Sequence, residues 1–270
     1  VIHGSGVSLD NERGESYTAS DVDVSRNTLI NTKIKSIADE FTQFEDFVVT
    51  YNTIYADVNA EHCIFYAGKI DGGRVSHNNL YINGGTTGIA IRASSYVDGG
   101  GLQPQATSRD ITVEDNAIIG NGVGSVGLGI DIGRYTRVSG LKVKKNKIRN
   151  CWTGITARDL GKKATFIDLE VSGNKFESDP SLNSLGNGHG VGFIFTVDSS
   201  DVTTDAMYFE DITVFNNKFE CAASGVYINF TTNAAKAQTT NLSEFSITKN
   251  NIRGNLNTAN FFGIRVNGDV

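Results

Sequence analysis

The chain has 270 residues, of which 39% are hydrophobic and 20% charged, and its formal net charge is −6. This composition is typical of a globular fold and excludes a disordered chain. The acidic balance disfavours nucleic acid as a partner, and no apolar run approaches the length of about 18 residues that membrane insertion needs. Thirty glycines beside only two prolines favour many tight turns between short strands.

One frame recurs eight times along the chain: apolar, any, apolar, any, any, Asn, any, apolar. In chain order it contains Val22, Val24, Asn27 and Leu29; Phe47, Val49, Asn52 and Ile54; Gly73 (in place of an apolar residue), Val75, Asn78 and Leu80; Ile111, Val113, Asn116 and Ile118; Leu141, Val143, Asn146 and Ile148; Leu169, Val171, Asn174 and Phe176; Ile212, Val214, Asn217 and Phe219; and Phe245, Ile247, Asn250 and Ile252. The asparagines are 25, 26, 38, 30, 28, 43 and 33 residues apart. The constant frame is therefore interpreted as structure and the variable part as loop.

A second frame, Gly-apolar-any-apolar, follows the asparagines. It begins at Gly88, Gly129, Gly154, Gly225 and Gly263, more weakly at Gly190, and Cys63-Ile64-Phe65-Tyr66 fits without the glycine. Both frames have a period of two, which predicts short strands with one face inward. Strands of successive coils would pair in parallel about 4.8 Å apart. The sequence thus predicts an all-β fold, a right-handed parallel β-helix of at least eight coils.

The asparagine lies between two predicted strands, where the chain must bend. Asparagine tolerates the left-handed conformation that such a turn needs, and stacked asparagines can form a hydrogen-bonded ladder. The residues three positions before the asparagines are predicted to form an inward column of Val75, Val113, Val143, Val171, Val214 and Ile247. Phe176 and Phe219 are expected to stack, as are Lys147, Lys175 and Lys218, and the three cysteines are interpreted as small buried residues.

Segments such as Val171-Ser172-Gly173-Asn174-Lys175-Phe176 and Ile247-Thr248-Lys249-Asn250-Asn251-Ile252, each followed by a Gly-apolar strand, resemble the pectin-lyase-like superfamily. The resemblance covers roughly residues 20 to 270 and implies a β-helix that binds or cleaves polysaccharide along its outside. Gly188-His189-Gly190 is similar to one polygalacturonase motif, but that family's Asn-Thr-Asp and paired-Asp motifs and the calcium-binding aspartates of pectate lyases are not found. What remains resembles the central shaft of a bacteriophage tailspike or a similar depolymerase domain. Because the calcium-type aspartates and any zinc-binding spacing of the cysteines are missing, we expect no metal, and we expect no cofactor.

Neither terminus shows an amphipathic capping helix, although the open ends of a β-helix must be covered. We therefore expect residues 1–270 to form a single β-helix domain, a central fragment of a longer chain. The resemblance to tailspikes implies a homotrimer and an extracellular location, in a virion tail if the chain comes from a phage.

The second frame predicts which residues face outward on one wall of the helix. Arg92, Asp131 and Arg158 would occupy three consecutive coils, with the two arginines about 10 Å apart. In the functional interpretation the arginines bind a sugar carboxylate and Asp131 acts as base or nucleophile. In the alternative interpretation the three residues are an ordinary ladder of surface charges.

Long spacings between asparagines predict loops that could carry further groups. Asp198, Asp201 and Glu177 are candidates for a second carboxyl group, and His189 for an acid or base. Arg134 is a candidate for substrate binding, and Tyr227 and Trp152 for stacking against sugars. Structural roles for His189, Tyr227 and Trp152 remain alternatives.

The sequence therefore favours a domain of the tailspike type that recognises, and is expected to degrade, a bacterial surface polysaccharide. One alternative is a receptor-binding or shaft segment of a phage fibre without catalysis. Another is a secreted bacterial polysaccharide lyase or glycoside hydrolase. Fold alone does not separate them.

Overall fold

The computed structural model describes residues 1–3, 6–10, 17–37, 42–56, 61–83, 87–92, 107–120, 127–133, 137–159, 165–178, 188–196, 207–231, 240–254 and 261–268. Within these residues all regular structure is strand, and 27 strands form three sheets of nine. Neighbouring strands of each sheet pair in parallel and belong to successive coils, as in the pairing of β16 with β19 and of β19 with β22. The predicted right-handed parallel β-helix is confirmed.

Each coil contributes to the three sheets in turn. The strand before the asparagine belongs to sheet 1, and the strand after the asparagine belongs to sheet 2. The strand that holds the Gly-apolar frame belongs to sheet 3. Sheet 1 contains β3 (Tyr17–Ser20), β4 (Asp23–Ser25), β7 (Thr42–Thr50), β10 (Lys69–Ser76), β13 (Ser108–Glu114), β16 (Arg137–Lys144), β19 (Thr165–Ser172), β22 (Met207–Phe215) and β25 (Thr240–Thr248). Sheet 2 contains β1 (Ile2–His3), β5 (Thr28–Ile30), β8 (Thr53–Tyr55), β11 (Asn79–Ile82), β14 (Ala117–Gly120), β17 (Lys147–Cys151), β20 (Lys175–Ser178), β23 (Lys218–Cys221) and β26 (Asn251–Gly254). Sheet 3 contains β2 (Val7–Asp10), β6 (Ile34–Ile37), β9 (His62–Ala67), β12 (Thr87–Arg92), β15 (Leu128–Gly133), β18 (Thr153–Asp159), β21 (His189–Thr196), β24 (Ser224–Thr231) and β27 (Phe262–Gly268).

The inward faces of the three sheets form one continuous apolar core. The predicted valine column is confirmed, because Val75, Val113, Val143, Val171, Val214 and Ile247 pair in that order from coil to coil. The five valines are fully buried. Phe176 and Phe219 also occupy paired positions on successive coils. Burial of this repeated apolar face stabilises each coil against its neighbours.

A ladder of eight asparagines runs along the corner between sheets 1 and 2, as the sequence predicts. Each Nδ2 from Asn27 to Asn217 donates to Oδ1 of the asparagine in the following coil at 2.9–3.1 Å. From Asn52 onward, Nδ2 also donates to a valine carbonyl of the preceding coil at 2.8–2.9 Å. Buried amides are thus satisfied along the axis, and they fix the register of the coils.

The left-handed residue at this corner is the one before the asparagine, so the conformation predicted for the asparagine was wrong. Arg26, Tyr51, His77, Asp115, Lys145, Gly173, Asn216 and Lys249 have φ between 53° and 62°. The asparagine itself continues into the next strand, which directs its amide into the stack. Its role is to bond neighbouring coils, while the preceding residue makes the turn.

The glycines of the second frame have a steric cause. A Cβ at Gly154 would lie 2.7 Å from the Gly190 carbonyl oxygen and 2.8 Å from Cγ of Phe176, both in the following coil. The same close approach occurs at Gly88, Gly129, Gly190 and Gly225. Any side chain there would push sheet 3 away from the apolar residue that follows each asparagine.

Candidate functional site

The outward face of sheet 3 carries the residues that the sequence singled out. Ala90 pairs with Asp131, and Asp131 pairs with Thr156 on the next coil. The same row continues through Gly192 and Tyr227 and then to Arg265. The predicted order of these positions along the axis is therefore confirmed.

The sequence places this row on an outward-facing wall of the helix, but the expectation that it is exposed there was wrong for its central coils. Ala90, Asp131 and Thr156 are 0%, 1% and 3% exposed. Phe65 and Ala90 pack together as a cluster separate from the main core. Period-two alternation tells which face of a strand a side chain occupies, but it does not tell whether that face is covered.

Asp131 is a buried carboxyl group in a polar setting. Thr156 Oγ1 donates a hydrogen bond of 3.0 Å to Asp131 Oδ1. A Cβ added to Gly133 would lie 3.2 Å from Asp131 Oδ2, so the glycine leaves room beside the carboxyl group. Burying a carboxylate is costly unless hydrogen bonds or charges compensate.

The backbone register places both predicted arginines beside this group. Arg158 pairs with Gly133, and Arg92 follows Ile91, which pairs with Ile132. The arginine Cα atoms therefore lie two coils apart, about 10 Å. The side chains of Arg92 and Arg158 lie outside the described part of the structure. Their contact with a sugar carboxylate stays a prediction.

His189 is buried at the start of β21 and is held by two neighbours. Its Nδ1 is hydrogen-bonded to Ser224 Oγ at 2.9 Å, and its ring stacks on Tyr227 with centroids 4.5 Å apart. His189 lies two coils and three strand positions from Asp131, about 14 Å between Cα atoms. In this conformation Asp131 and His189 are too far apart to share a proton.

The Tyr227 ring lies between two groups along the helix axis. His189 covers it from the preceding coil, and the Arg265 guanidinium lies 5.5 Å from the ring centroid on the following coil. Asn267 Nδ2 also donates to Tyr227 Oη at 3.2 Å. These contacts occupy the ring faces, which leaves the edge of the half-buried ring for a ligand.

The remaining candidates are dispersed. Trp152 is half-buried in the turn between β17 and β18, where its backbone N–H donates to the Gly127 carbonyl at 2.8 Å. Glu177 is exposed on sheet 2, 3.6 Å from Arg149, so the structure does not bring it to Asp131. Arg134, Asp198 and Asp201 lie outside the described residues.

Sequence reasoning missed Thr156 and Ser224 as partners of the predicted site. Thr156 follows Gly154 in the second frame at the position that Asp131 occupies after Gly129, so stacking the frames would have paired them. Ser224 precedes Gly225 as His189 precedes Gly190, and the same reasoning would have paired the histidine with the serine. Both partners were visible in the repeat.

Neither a metal-binding cluster nor a membrane-spanning helix is found among the described residues. These contain no group of three or more His, Cys, Asp or Glu side chains that could hold a metal ion. They also include no helix long and apolar enough to cross a membrane. The three cysteines are buried and unbridged, which confirms their interpretation as core residues, and burial raises the pKa of the Cys151 thiol to about 12.

Comparisons with known proteins gave no relative. No family model matches the sequence, and no curated protein or solved structure matches it.

Proposed function

We propose that this β-helix recognises a polysaccharide along the outer face of sheet 3 and cleaves it with Asp131 as the acid–base group. The proposal places Arg92 and Arg158 against acidic groups of the glycan, with Tyr227 at the end of the binding surface. It includes the tailspike setting expected from the sequence: an extracellular homotrimer acting on a bacterial surface glycan, in a virion tail if the chain comes from a phage.

The buried carboxyl group of Asp131 is the observation that carries this proposal. The outward face of a simple shaft would be solvated, whereas here Asp131, Thr156, His189 and Ser224 are at most 3% exposed. Polar groups buried on the outside of a rigid solenoid are the arrangement that preorganises a site. Arginine positions on the coils before and after Asp131 supply the positive charge that an acidic sugar needs.

Burial also sets a condition on the mechanism. Asp131 is 1% exposed, so a polymer can reach it only after the face has opened. Substrate-linked opening and closing of this kind is common in enzymes that exclude water. The catalytic role thus requires a conformational step, and recognition precedes cleavage.

The hydrogen bond between Thr156 and Asp131 is also compatible with one alternative, a receptor-binding or shaft segment without catalysis. In that case the Asp131–Thr156 hydrogen bond serves only to join two coils. A secreted bacterial lyase or hydrolase would share the proposed chemistry and differ in its setting.

Incubation with capsular, O-antigen and uronate-containing polysaccharides tests the proposal. Ultraviolet absorbance of unsaturated products identifies a lyase, and new reducing ends without that absorbance identify a hydrolase. The proposal predicts shortened chains from at least one acidic glycan. Binding without products would favour the shaft alternative, and neither binding nor products from any glycan would overturn the proposal.

A further inference from the structure

A second charged surface lies on sheet 2, on a different side of the solenoid from Asp131. Lys147, Lys175 and Lys218 occupy directly paired positions on β17, β20 and β23. All three side chains are exposed. Successive lysines are therefore one coil apart, about 4.8 Å, and form a column parallel to the axis.

This column lines a shallow groove with a volume of 280 Å³. The next outward row along the same strands supplies the second side of the groove, from Arg149, Glu177 and Glu220. The apolar residues beneath, Ile148 and Phe176, are 1% and 3% exposed. The accessible surface of the groove is therefore polar and charged.

The positive charge of the column is uncompensated among the described residues. None of the three ammonium groups has a carboxylate within 4.0 Å in that part of the chain, and Glu177 is instead paired with Arg149 at 3.6 Å. Like charges directly opposite each other on a sheet are destabilising. A bound anion would remove this repulsion, in a chain whose net charge is −6.

We propose that this groove binds a linear glycan carrying carboxylate or sulfate groups, with its chain along the helix axis. The coil repeat of about 4.8 Å is comparable to the length of one sugar residue, so anionic groups on successive sugars can meet successive lysines. Glu177 and Glu220 can accept hydrogen bonds from sugar hydroxyls. The proposal does not rest on a catalytic role for Asp131.

The same observations disfavour a nucleic acid strand. Proteins that bind single strands combine a basic groove with aromatic side chains on which bases stack. The only aromatic side chain lining the described groove is Phe176, and it faces the core.

The test compares two triple variants of equal net charge. The groove variant is Lys147→Gln, Lys175→Gln and Lys218→Gln. The control is Lys33→Gln, Lys69→Gln and Lys142→Gln, which changes lysines outside sheet 2. Titration calorimetry at low salt measures binding of polygalacturonate, heparin, dextran, polyglutamate and a thymidine oligonucleotide, and circular dichroism checks that both variants fold.

We expect wild type and control to bind polygalacturonate or heparin with similar affinity, and the groove variant to bind at least about tenfold more weakly, from the loss of three exposed ion pairs. Dextran, polyglutamate and the oligonucleotide should bind weakly to all three proteins. The proposal is overturned by absence of glycan binding, by equal losses in the two variants, or by polyglutamate or oligonucleotide binding as tightly as the glycans. If the protein cleaves a glycan that the sheet 2 groove does not bind, the sheet 2 proposal fails and the sheet 3 proposal is retained.

Discussion

At the scale of single residues, the asparagine amide joins the coils. Asn78 Oδ1 accepts from the backbone N–H and Nδ2 of Asn52, and its Nδ2 donates to Asn116 Oδ1 and to the Val49 carbonyl. All of these groups are shielded from water, so each lost bond leaves a buried polar atom without compensation. The repeated asparagine is therefore a structural requirement and carries no information about the reaction.

Replacement of Asn78 by alanine should lower the free energy of unfolding by about 3 to 5 kcal/mol, because it strips partners from several buried groups. The adjacent Asn79 is exposed on sheet 2 and provides a matched control. Asn79→Ala should change the value by less than about 0.5 kcal/mol. Urea denaturation followed by circular dichroism measures both, and equal effects of the two changes would contradict the ladder's role.

Glu114 is the centre of a charge network on sheet 1. Arg74 Nη2 lies 2.7 Å from its Oε1, and Lys144 Nζ lies 3.2 Å from its Oε2. Burial alone would raise the pKa of Glu114, but the hydrogen bonds and positive charges of Lys144 and Arg74 outweigh it and hold the pKa below its ordinary value. The ionised form is thus favoured in the folded state.

Glu114→Gln should therefore cost roughly 1 kcal/mol of unfolding free energy at neutral pH. A carboxyl group with a depressed folded pKa contributes stability above its unfolded pKa and loses that contribution as the pH falls through the folded pKa. The difference between wild type and variant should be constant near neutrality and shrink as the pH falls below the ordinary glutamate pKa of about 4.3. Denaturation curves across this range check it, and a difference that grows on acidification would refute the assignment.

At the scale of elements, the two strand frames were predictable because burial imposes a period of two. The sequence also contains a second repeated signal, an aspartate or glycine at the position before most of the sheet 1 frames. In sheet 1 the residue just before the first frame position is left-handed in every repeat, namely Asp21, Asp46, Gly72, Asp110, Gly140, Asp168, Asp211 and Glu244. Seven of these eight are aspartate or glycine, residue types that tolerate this conformation. The recurrence of aspartate or glycine at one position of the repeat could therefore have predicted the left-handed conformation there.

The Gly-apolar frame leads to a prediction with an internal control. Gly154→Ala should destabilise the protein by roughly 1 to 3 kcal/mol, because its Cβ would collide with the Gly190 carbonyl oxygen and Phe176. Gly263 occupies the equivalent position in β27, where an added Cβ meets nothing within 4 Å. Gly263→Ala should change stability little. Thermal unfolding distinguishes the two sites, and a larger loss from the Gly263 change would contradict the steric explanation.

At the scale of the whole molecule, the regular repeat made the register of the coils predictable. The irregular loops between the repeats limited how much of the candidate site could be predicted. Stacking the frames correctly brought Arg92, Asp131 and Arg158 to adjacent coils. Burial of Asp131 could not be predicted, because it depends on contacts made in three dimensions and not on the alternation within one strand. Long-range packing of this kind leaves no local period in the sequence.

The measurement that tests the central claim most directly is the initial rate of glycan cleavage by Asp131→Asn, on the polysaccharide that wild type degrades. Asp23→Asn, an exposed change on sheet 1, is the control. The account predicts a fall of at least about 100-fold for Asp131→Asn, with the control unchanged, as expected for loss of an acid–base group. An Asp131→Asn protein that folds and cleaves at the wild-type rate would contradict it.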